Sequence, residues 1–259
     1  MVQKQQDFNI KTAFNSLRLV YHKGKLELRG DGRSLQSAIN LETPHRLELR
    51  NLEHLMSVLL FIPAPTRILM LGTAAGSLLH FLRYYYPQTH ITAVDIDQKL
   101  VDQLLQLKIL PAADERLTYL CIDAADYIRH CQQAYDLLIV DIFDAARSPT
   151  WLLANSTIRQ LHELVREHGA LAFNLLVESD HDFRQFYREF RQQFYQQTIS
   201  LPVAGLENRI VYGVRGKFAA RDMSTNRQAA LDMSARLGID FMPILSLIYN
   251  TNPAASGLI

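Results

Sequence analysis

The clearest fold signal in this chain lies at Arg67–Asp97, RILMLGTAAGSLLHFLRYYYPQTHITAVDID. An apolar strand pattern leads through a turn of small residues into a helical pattern and then into a second apolar strand that ends at Asp95. Small residues in such a turn let the backbone approach a ligand, and an acid at the end of the second strand can accept hydrogen bonds from ribose hydroxyls. The pattern predicts a nucleoside site, with an ordinary strand–helix turn as the alternative.

The glycines of this turn indicate what kind of nucleoside would fit. The dinucleotide fingerprint is Gly-x-Gly-x-x-Gly, whereas this turn has only Gly72 and Gly76. With fewer glycines, fewer backbone positions can approach a phosphate closely. The turn therefore favours a smaller nucleoside ligand without phosphates. The candidate ligand-binding residues of the turn are Gly72, Thr73, Ala75 and Gly76.

The length allows either one α/β domain with an addition or two small domains. The 259 residues carry a net charge of +1 and are 48% hydrophobic, which is enough for a sizeable core and gives no general surface for nucleic acid or membrane. The first residues lack a signal-peptide core, and the longest apolar run, Leu55–Pro65, is too short to span a bilayer. Cys121 and Cys131 show neither metal spacing nor a disulfide framework, so a reducing, cytoplasmic setting is expected.

Periodicity divides the chain into four parts: a β-rich lobe (1–50), a bridging helix (51–66), a nucleoside-binding domain (67–216) and a helical extension (217–259). Within the lobe, residues 1–13 are polar and expected to fray, and a hairpin turns at Gly24. Asn51 is expected to cap a bridging helix that spans 52–61.

Strand-like runs alternate with helical runs through the third part, which predicts a parallel sheet covered on both faces. The last two runs are separated only by residues 203–208, too few for a helical crossover, so they should pair antiparallel. A mostly parallel sheet with a reversed last strand is the S-adenosylmethionine-dependent methyltransferase type of Rossmann-like fold. The expected strands are 67–71, 91–95, 117–121, 136–141, 170–174, 198–202 and 209–214.

Four acids, Asp95, Asp123, Asp141 and Glu178, fall at strand ends, where open α/β sheets bind their ligands. Asp95 suits a ribose diol, and Asp123 suits the exocyclic amine of adenine. Asp141 follows a buried run and should be partly desolvated, which makes it a better proton acceptor. Ile96 and Ala124 adjoin the first two acids and belong to the candidate cofactor-binding set, and Asp144 joins Asp141 as a candidate catalytic residue.

Each of these acids has a structural alternative. Asp95 and Asp123 could cap the helices that follow them, although Asp97 is the better cap for the first. Asp141 and Asp144 could simply cap their loop. The histidines are scattered: His22, His130, His162 and His168 are interpreted as surface positions, whereas His45 and His54 could face the cleft. Because no Cys/His/Asp group has metal spacing, no metal is expected.

The motifs LMLGTAAGS, AVDID, CIDAADY and LLIVDIFDAARSP resemble, in order and spacing, the spermidine synthase group of aminopropyltransferases, and most closely its divergent spermidine synthase-like members. The resemblance covers roughly residues 17–215.

The resemblance implies transfer of an aminopropyl group from decarboxylated S-adenosylmethionine to a polyamine amine. It places the family's glycine turn at Gly72–Ser77, its ribose acid at Asp95 and its adenine acid at Asp123. Its catalytic base falls on Asp141, and the second acid of its D-x-x-D motif falls on Asp144. A small-molecule amine partner is expected, without nucleic acid or membrane, and the resemblance is compatible with a homodimer.

Departures from the family pattern keep other functions open. Ala75 stands where the family has an Asp that holds the amino end of the cosubstrate, and Glu53-His54 stands near the place of a Tyr-Gln pair. Arg46 and Arg50 lie close by in sequence and would repel a polyamine if they faced its pocket. The alternatives are a methyltransferase that uses intact S-adenosylmethionine and a non-catalytic member of the fold.

Overall fold

The computed structural model describes residues 7–30, 35–144, 147–216, 222–252 and 258. Its N-terminal lobe is a four-stranded antiparallel sheet in the order β1-β2-β3-β4. Alternate residues such as Leu17 and Leu19 are buried, and Lys23 and Gly24 take positive φ at the predicted hairpin turn. The strands are β1 (Phe8–Lys11), β2 (Ser16–His22), β3 (Lys25–Arg29) and β4 (Leu35–Asn40).

The expectation that residues 1–13 fray is wrong for the described part of that segment. β1 pairs antiparallel with β2, from Phe8 opposite Leu19 to Lys11 opposite Ser16. The polar composition hides this strand, because only Ile10 of β1 is buried, at 3% exposure, and the other positions face solvent. A single buried side chain does not reveal the alternation of buried and exposed residues by which a strand is recognised in a sequence.

The second sheet has seven strands in the order β10-β11-β9-β8-β5-β6-β7. Its first five strands in the chain run parallel, and β11 pairs antiparallel with both β9 and β10. This order confirms the predicted methyltransferase-type sheet. The strands are β5 (Arg67–Leu71), β6 (His90–Asp95), β7 (Leu117–Cys121), β8 (Tyr135–Val140), β9 (Val165–Leu175), β10 (Thr198–Pro202) and β11 (Arg209–Val214).

Helices cover both faces of this sheet. The helices are α1 (Arg50–Leu55), α2 (Ser77–Tyr85), α3 (Gln98–Gln106), α4 (Ala124–His130), α5 (Asn155–Glu163), α6 (Asp180–Gln193), α7 (Met223–Leu237) and α8 (Phe241–Thr251). Successive residues of β5 alternate between two cores: Ile68 and Met70 pack with α2, α3, α7, α8 and the lobe, whereas Leu69 and Leu71 pack with α4, α5 and α6.

The bridging helix differs from its prediction. It begins at Arg50, one residue before the expected cap Asn51, and becomes a 3₁₀ helix at Met56–Leu60. Leu49 holds the N-cap position in an extended conformation and makes no side-chain cap hydrogen bond, so its backbone carbonyl alone accepts from Leu52 and Glu53. Because Leu52 and Leu55 are buried, packing rather than capping fixes where this helix starts.

Gly72 is needed where β5 meets the nucleoside turn. Its φ is +88°, and a Cβ atom at this position would lie 2.3 Å from the backbone oxygen of Asp141. Only glycine lets the end of β5 approach the end of β8 this closely. The turn and Asp141 are therefore locked together by backbone contact.

Candidate active site

A cavity of about 1060 Å³ opens along the carboxyl ends of β5, β6, β7, β8 and β9. Pockets for a single drug-sized ligand hold about 300–1,000 Å³, so this cavity has room for two small substrates. Its lining residues that bear on function are Phe14, Asn15, Gln36, Gly72, Thr73, Ala74, Asp95, Ile96, Asp123, Ala124, Asp141, Asp144, Arg147, Trp151, Val177, Glu178, Asp182, Gln185 and Phe186.

Asp95 ties the nucleoside turn to the end of β6. Its Oδ2 accepts hydrogen bonds from the Thr73 backbone N–H at 2.9 Å and from Thr73 Oγ1 at 2.7 Å, and its Oδ1 accepts from the Asp97 N–H at 3.0 Å. A carboxylate offers about four acceptor positions, so one remains on Oδ1. For Asp95 to accept hydrogen bonds from both ribose hydroxyls through its two oxygens, the hydrogen bond from Thr73 Oγ1 would have to break.

Ala75 and Gly76, two of the residues selected from the turn, do not line the cavity. Ala75 is 1% exposed and packs in the core. Gly76 is the N-cap of α2 with φ +84°, and a Cβ there would lie 2.4 Å from Leu110 Cδ2, whose side chain packs in the core. Ala74, with φ +44°, lines the cavity instead. The left-handed backbone at Ala74 turns these two residues into the core behind the cavity wall, and their ligand contacts remain predictions.

Asp123 caps a helix and also lines the cavity, so its proposed contact with adenine remains a prediction. It is the N-cap of α4, where Oδ1 accepts from the Ala125 N–H at 2.7 Å, and it is exposed at the cavity wall beside Ala124. The cap uses one carboxylate oxygen and leaves the other for a ligand. Ile96, which is 42% exposed, presents an apolar side chain to the same end of the cavity.

Asp97 caps α3, as expected, and also attaches the N-terminal lobe to the sheet. Its Oδ1 accepts from the Leu100 N–H at 3.1 Å, and its Oδ2 accepts from Thr12 Oγ1 and from Asn15 Nδ2. The β1–β2 turn is thereby held over the cavity, which it lines with Phe14 and Asn15. Sequence reasoning missed this contribution because the contacts join residues more than 80 positions apart.

Asp141 lies directly after β8 and is half-buried at the middle of the cavity. Burial raises its pKa to about 6, and a hydrogen bond from Asn174 Nδ2 to Oδ1, at 2.8 Å, opposes that rise. Asn174 in turn accepts from Asn208 Nδ2 at 2.9 Å. Sequence reasoning missed both asparagines, although a lone Asn inside the apolar run ALAFNLL was a usable signal.

Asp144 lies in the loop after Asp141, exposed at the cavity rim. Its backbone exchanges two hydrogen bonds with Arg147, at 2.8 and 3.1 Å, which close this loop before the 3₁₀ helix Thr150–Leu153. The structure therefore brings both candidate catalytic acids to one cavity.

The cavity is strongly acidic. Its described lining carries six carboxylates and one guanidinium, that of Arg147, whose Nη1 donates to the Val177 carbonyl at 2.8 Å. Arg46 and Arg50 do not line it, and Arg50 Nη1 donates to the Ala204 carbonyl at 3.0 Å. The repulsion considered for these two arginines therefore does not arise at this cavity.

The histidine interpretations need two corrections. His162 is buried at 9% exposure, and burial lowers its pKa to about 4, so it is not a surface residue. His45 stacks on Tyr84 at 3.8 Å and His54 Nδ1 contacts the Arg50 carbonyl at 2.8 Å, so neither faces the cavity.

Within the described ranges there is no group of three His, Cys, Asp or Glu residues placed to hold a metal. No described helix combines the length and apolar character that a membrane span requires.

Comparisons with known proteins bear on both fold and family. A model of the spermine/spermidine synthase domain matches residues 49–201. A polyamine aminopropyltransferase of Neisseria meningitidis serogroup A is 26% identical over 221 residues, which are 85% of this chain and 84% of that protein.

Two solved structures share the fold. A probable spermidine synthase from Corynebacterium glutamicum aligns with a TM-score of 0.76 at 18% identity, over 95% of this chain and 94% of that one. Human methyltransferase-like protein 13, solved with SAH, aligns with a TM-score of 0.63 at 19% identity, over 76% of this chain and 92% of that one. At these identities the likeness establishes the fold alone.

Proposed function

The chain belongs to the spermine/spermidine synthase domain family, and on that premise we propose that it transfers an aminopropyl group from decarboxylated S-adenosylmethionine to an amine. The observation that carries the proposal is the half-buried carboxylate of Asp141, with its pKa raised to about 6, at the centre of an acidic two-substrate cavity.

Charge supports this donor over intact S-adenosylmethionine. Six carboxylates against one guanidinium attract a sulfonium and an ammonium, and they repel the carboxylate that the intact molecule carries. Ala75, which keeps the intact molecule open as an alternative, is buried in the core, and the carboxylates that line the cavity come from other positions.

Asp141 supports the chemistry of the transfer. The amine nitrogen attacks the carbon next to the sulfonium sulfur, the C–S bond breaks, and methylthioadenosine leaves with the bonding electrons. The amine must be neutral to attack, although it is mostly ammonium near pH 7. A carboxylate with a pKa of about 6 is largely ionised at that pH, attracts the ammonium and accepts its proton.

The order of strands supports an order of substrates. The strands β7, β6, β5, β8 and β9 are neighbours in that order across the sheet. At or just beyond their carboxyl ends lie, in the same order, Asp123, Asp95, Gly72, Asp141 and Glu178. Neighbouring strands lie about 4.8 Å apart, so roughly 14 Å separates the end of β7 from that of β8. This length suits an adenosine that reaches from Asp123 to Asp141, with the acceptor beyond it over β9.

The lining near β9 combines apolar side chains with carboxylates. Trp151 and Val177 are the apolar residues, Glu178 and Asp182 carry the carboxylates, and the Arg147 guanidinium lies against the Val177 carbonyl. Across the described ranges, neither of these acids has an ion-pair partner within 4.0 Å. An alkyl chain with a second ammonium fits this arrangement, so the proposed acceptor is a diamine or a longer polyamine.

The donor is tested by calorimetry with decarboxylated and intact S-adenosylmethionine, followed by mass spectrometry of the products made from a diamine. We expect the decarboxylated donor to bind about tenfold more tightly or better, a difference of about 1.4 kcal/mol, and a product heavier by one aminopropyl group. Tighter binding of the intact donor together with a methylated product would favour the methyltransferase alternative. If neither donor binds at micromolar concentration, the non-catalytic alternative stands.

The acceptor is tested with the double variant Glu178→Gln/Asp182→Asn. We expect KM for a diamine to rise about fivefold, because two exposed or half-exposed charge contacts are lost, while kcat and donor affinity change little. KM for a monoamine of equal length should stay constant, since it has no second ammonium to place.

The matched control is Glu163→Gln/Glu189→Gln, which removes the same charge from residues outside the cavity lining. An equal rise in KM in the control would attribute the effect to net charge and would contradict the acceptor position.

The expected homodimer and cytoplasmic location remain predictions.

A further inference from the structure

Asp141 and Asn174 lie side by side on neighbouring strands. β8 and β9 are parallel, with Val140 opposite Phe173, so the next residue of each strand is Asp141 and Asn174. Asn174 is 1% exposed and its Nδ2 donates to Asp141 Oδ1 at 2.8 Å. Within the described part of the chain, this is the one hydrogen bond to the Asp141 carboxylate.

Asn208 fixes the direction in which the Asn174 amide points. It is 8% exposed, lies just before β11, and donates through Nδ2 to Asn174 Oδ1 at 2.9 Å. If the Asn174 amide flipped, two donors would face each other at Asn208 and two acceptors at Asp141. Both contacts therefore require the same orientation, and a buried amide in that orientation is strongly held.

We propose that Asn174, oriented by Asn208, is a positioning residue that engages Oδ1 of Asp141 and reserves Oδ2 for the proton of the attacking amine. The proposal rests on the proposed function. It assigns to the two asparagines a task that the acids alone cannot perform, because a carboxylate without a fixed partner rotates and offers either oxygen.

The pair also holds the carboxylate in its ionised form. A donated hydrogen bond stabilises the charged carboxylate and opposes the effect of burial. The other charged groups that line the cavity around Asp141 are Asp95 from β6, Asp144 and Arg147 from its own loop, and Glu178 from the exit of β9. Burial is the main cause of the raised pKa of Asp141, and the hydrogen bond from Asn174 opposes it.

The test is a carboxyl carbon-13 NMR titration of Asp141, assigned with Asp141→Asn, in the wild type and in Asn174→Leu. We expect the variant to raise the pKa of Asp141 by about one, because the charged carboxylate loses its hydrogen bond from Asn174 and solvent replaces only part of it. Turnover should then fall about fivefold at pH 6 and little at pH 8, as the ionised fraction changes. A merely structural role would lower turnover equally at both pH values.

Two further variants keep the test decisive. Asn208→Ala should shift the pKa of Asp141 in the same direction even if Asn174→Leu fails to fold. Asn226→Leu is the control, since Asn226 is also buried, at 4% exposure, and donates to Tyr249 Oη at 2.8 Å away from the cavity. An unchanged Asp141 pKa in Asn174→Leu and Asn208→Ala would overturn the proposal, and this readout stands whether or not aminopropyl transfer is observed.

Discussion

Replacing Asp141 with asparagine should lower kcat about 10²- to 10⁴-fold, the usual contribution of a general base. The affinity for methylthioadenosine should stay within about twofold, because the substituted amide keeps the shape of the carboxylate and the backbone contact with Gly72 remains. Single-turnover rates together with calorimetry separate the two effects. Turnover that does not change would exclude Asp141 as the base.

The same variant should be more stable than the wild type at neutral pH. The folded-state pKa of Asp141 is raised, so the stability this group contributes is fully present below its unfolded pKa, near 4, and is lost as pH rises through about 6. Asparagine carries no such charge at high pH. The expected gain in free energy of unfolding at pH 8 is on the order of 1–2 kcal/mol after allowance for partial exposure, and it should vanish near pH 4.

Asp136, at the opposite end of β8, is the matched control. Although its burial would raise its pKa, hydrogen bonds from Thr66 and Arg166, with another from the Arg67 N–H, lower the net pKa. Its stability contribution is therefore present above the unfolded pKa and lost as pH falls through the folded value. Asp136→Asn should destabilise the protein at neutral pH, and a change of the same sign in both variants would contradict the assignment.

Replacing Asp95 with alanine should weaken methylthioadenosine binding about 10- to 100-fold, since a hydrogen bond to a charged group contributes about 1.5–3 kcal/mol. Two effects combine: the ribose loses its acceptor, and the turn loses the bonds from Thr73 that hold it. Isothermal titration measures the loss. Equal affinity in the variant would refute the ribose role.

A ligand and a control variant separate these two effects. If Asp95 contacts the ribose, a 2′-deoxy analogue of methylthioadenosine should bind wild type and variant with a much smaller difference. If the loss stays the same with the analogue, Asp95 acts only through the turn. Asp102→Ala, an exposed acid on α3 that lies outside the cavity lining, should leave affinity unchanged.

The sequence was most informative where a single strand or turn carried the signal. Six of the seven strands of the large sheet were predicted to within one residue at each end, and β9 begins five residues earlier than expected. Strand-end acids were found for the same reason: an apolar run followed by a carboxylate is visible locally, and parallel strands end at one edge.

The sequence of the nucleoside turn did not indicate which of its residues line the cavity, because that depends on the direction of the backbone. Ala74, Ala75 and Gly76 look equivalent in sequence, yet the left-handed backbone at Ala74 places that residue at the cavity and its two successors in the core. No periodicity predicts such a change, because φ at a small residue depends on what packs behind it.

The order of strands and helices, the acids at the strand ends and the family could all be recognised in the sequence. The three-dimensional structure was needed to show which of these residues share a cavity, that Asn174 and Asn208 form a hydrogen-bonded chain to Asp141, and that Arg46 and Arg50 lie outside the cavity lining. The physical reason is distance along the chain: strand patterns arise from neighbouring residues, whereas a carboxylate's partner and its burial depend on register between segments 33 residues or more apart.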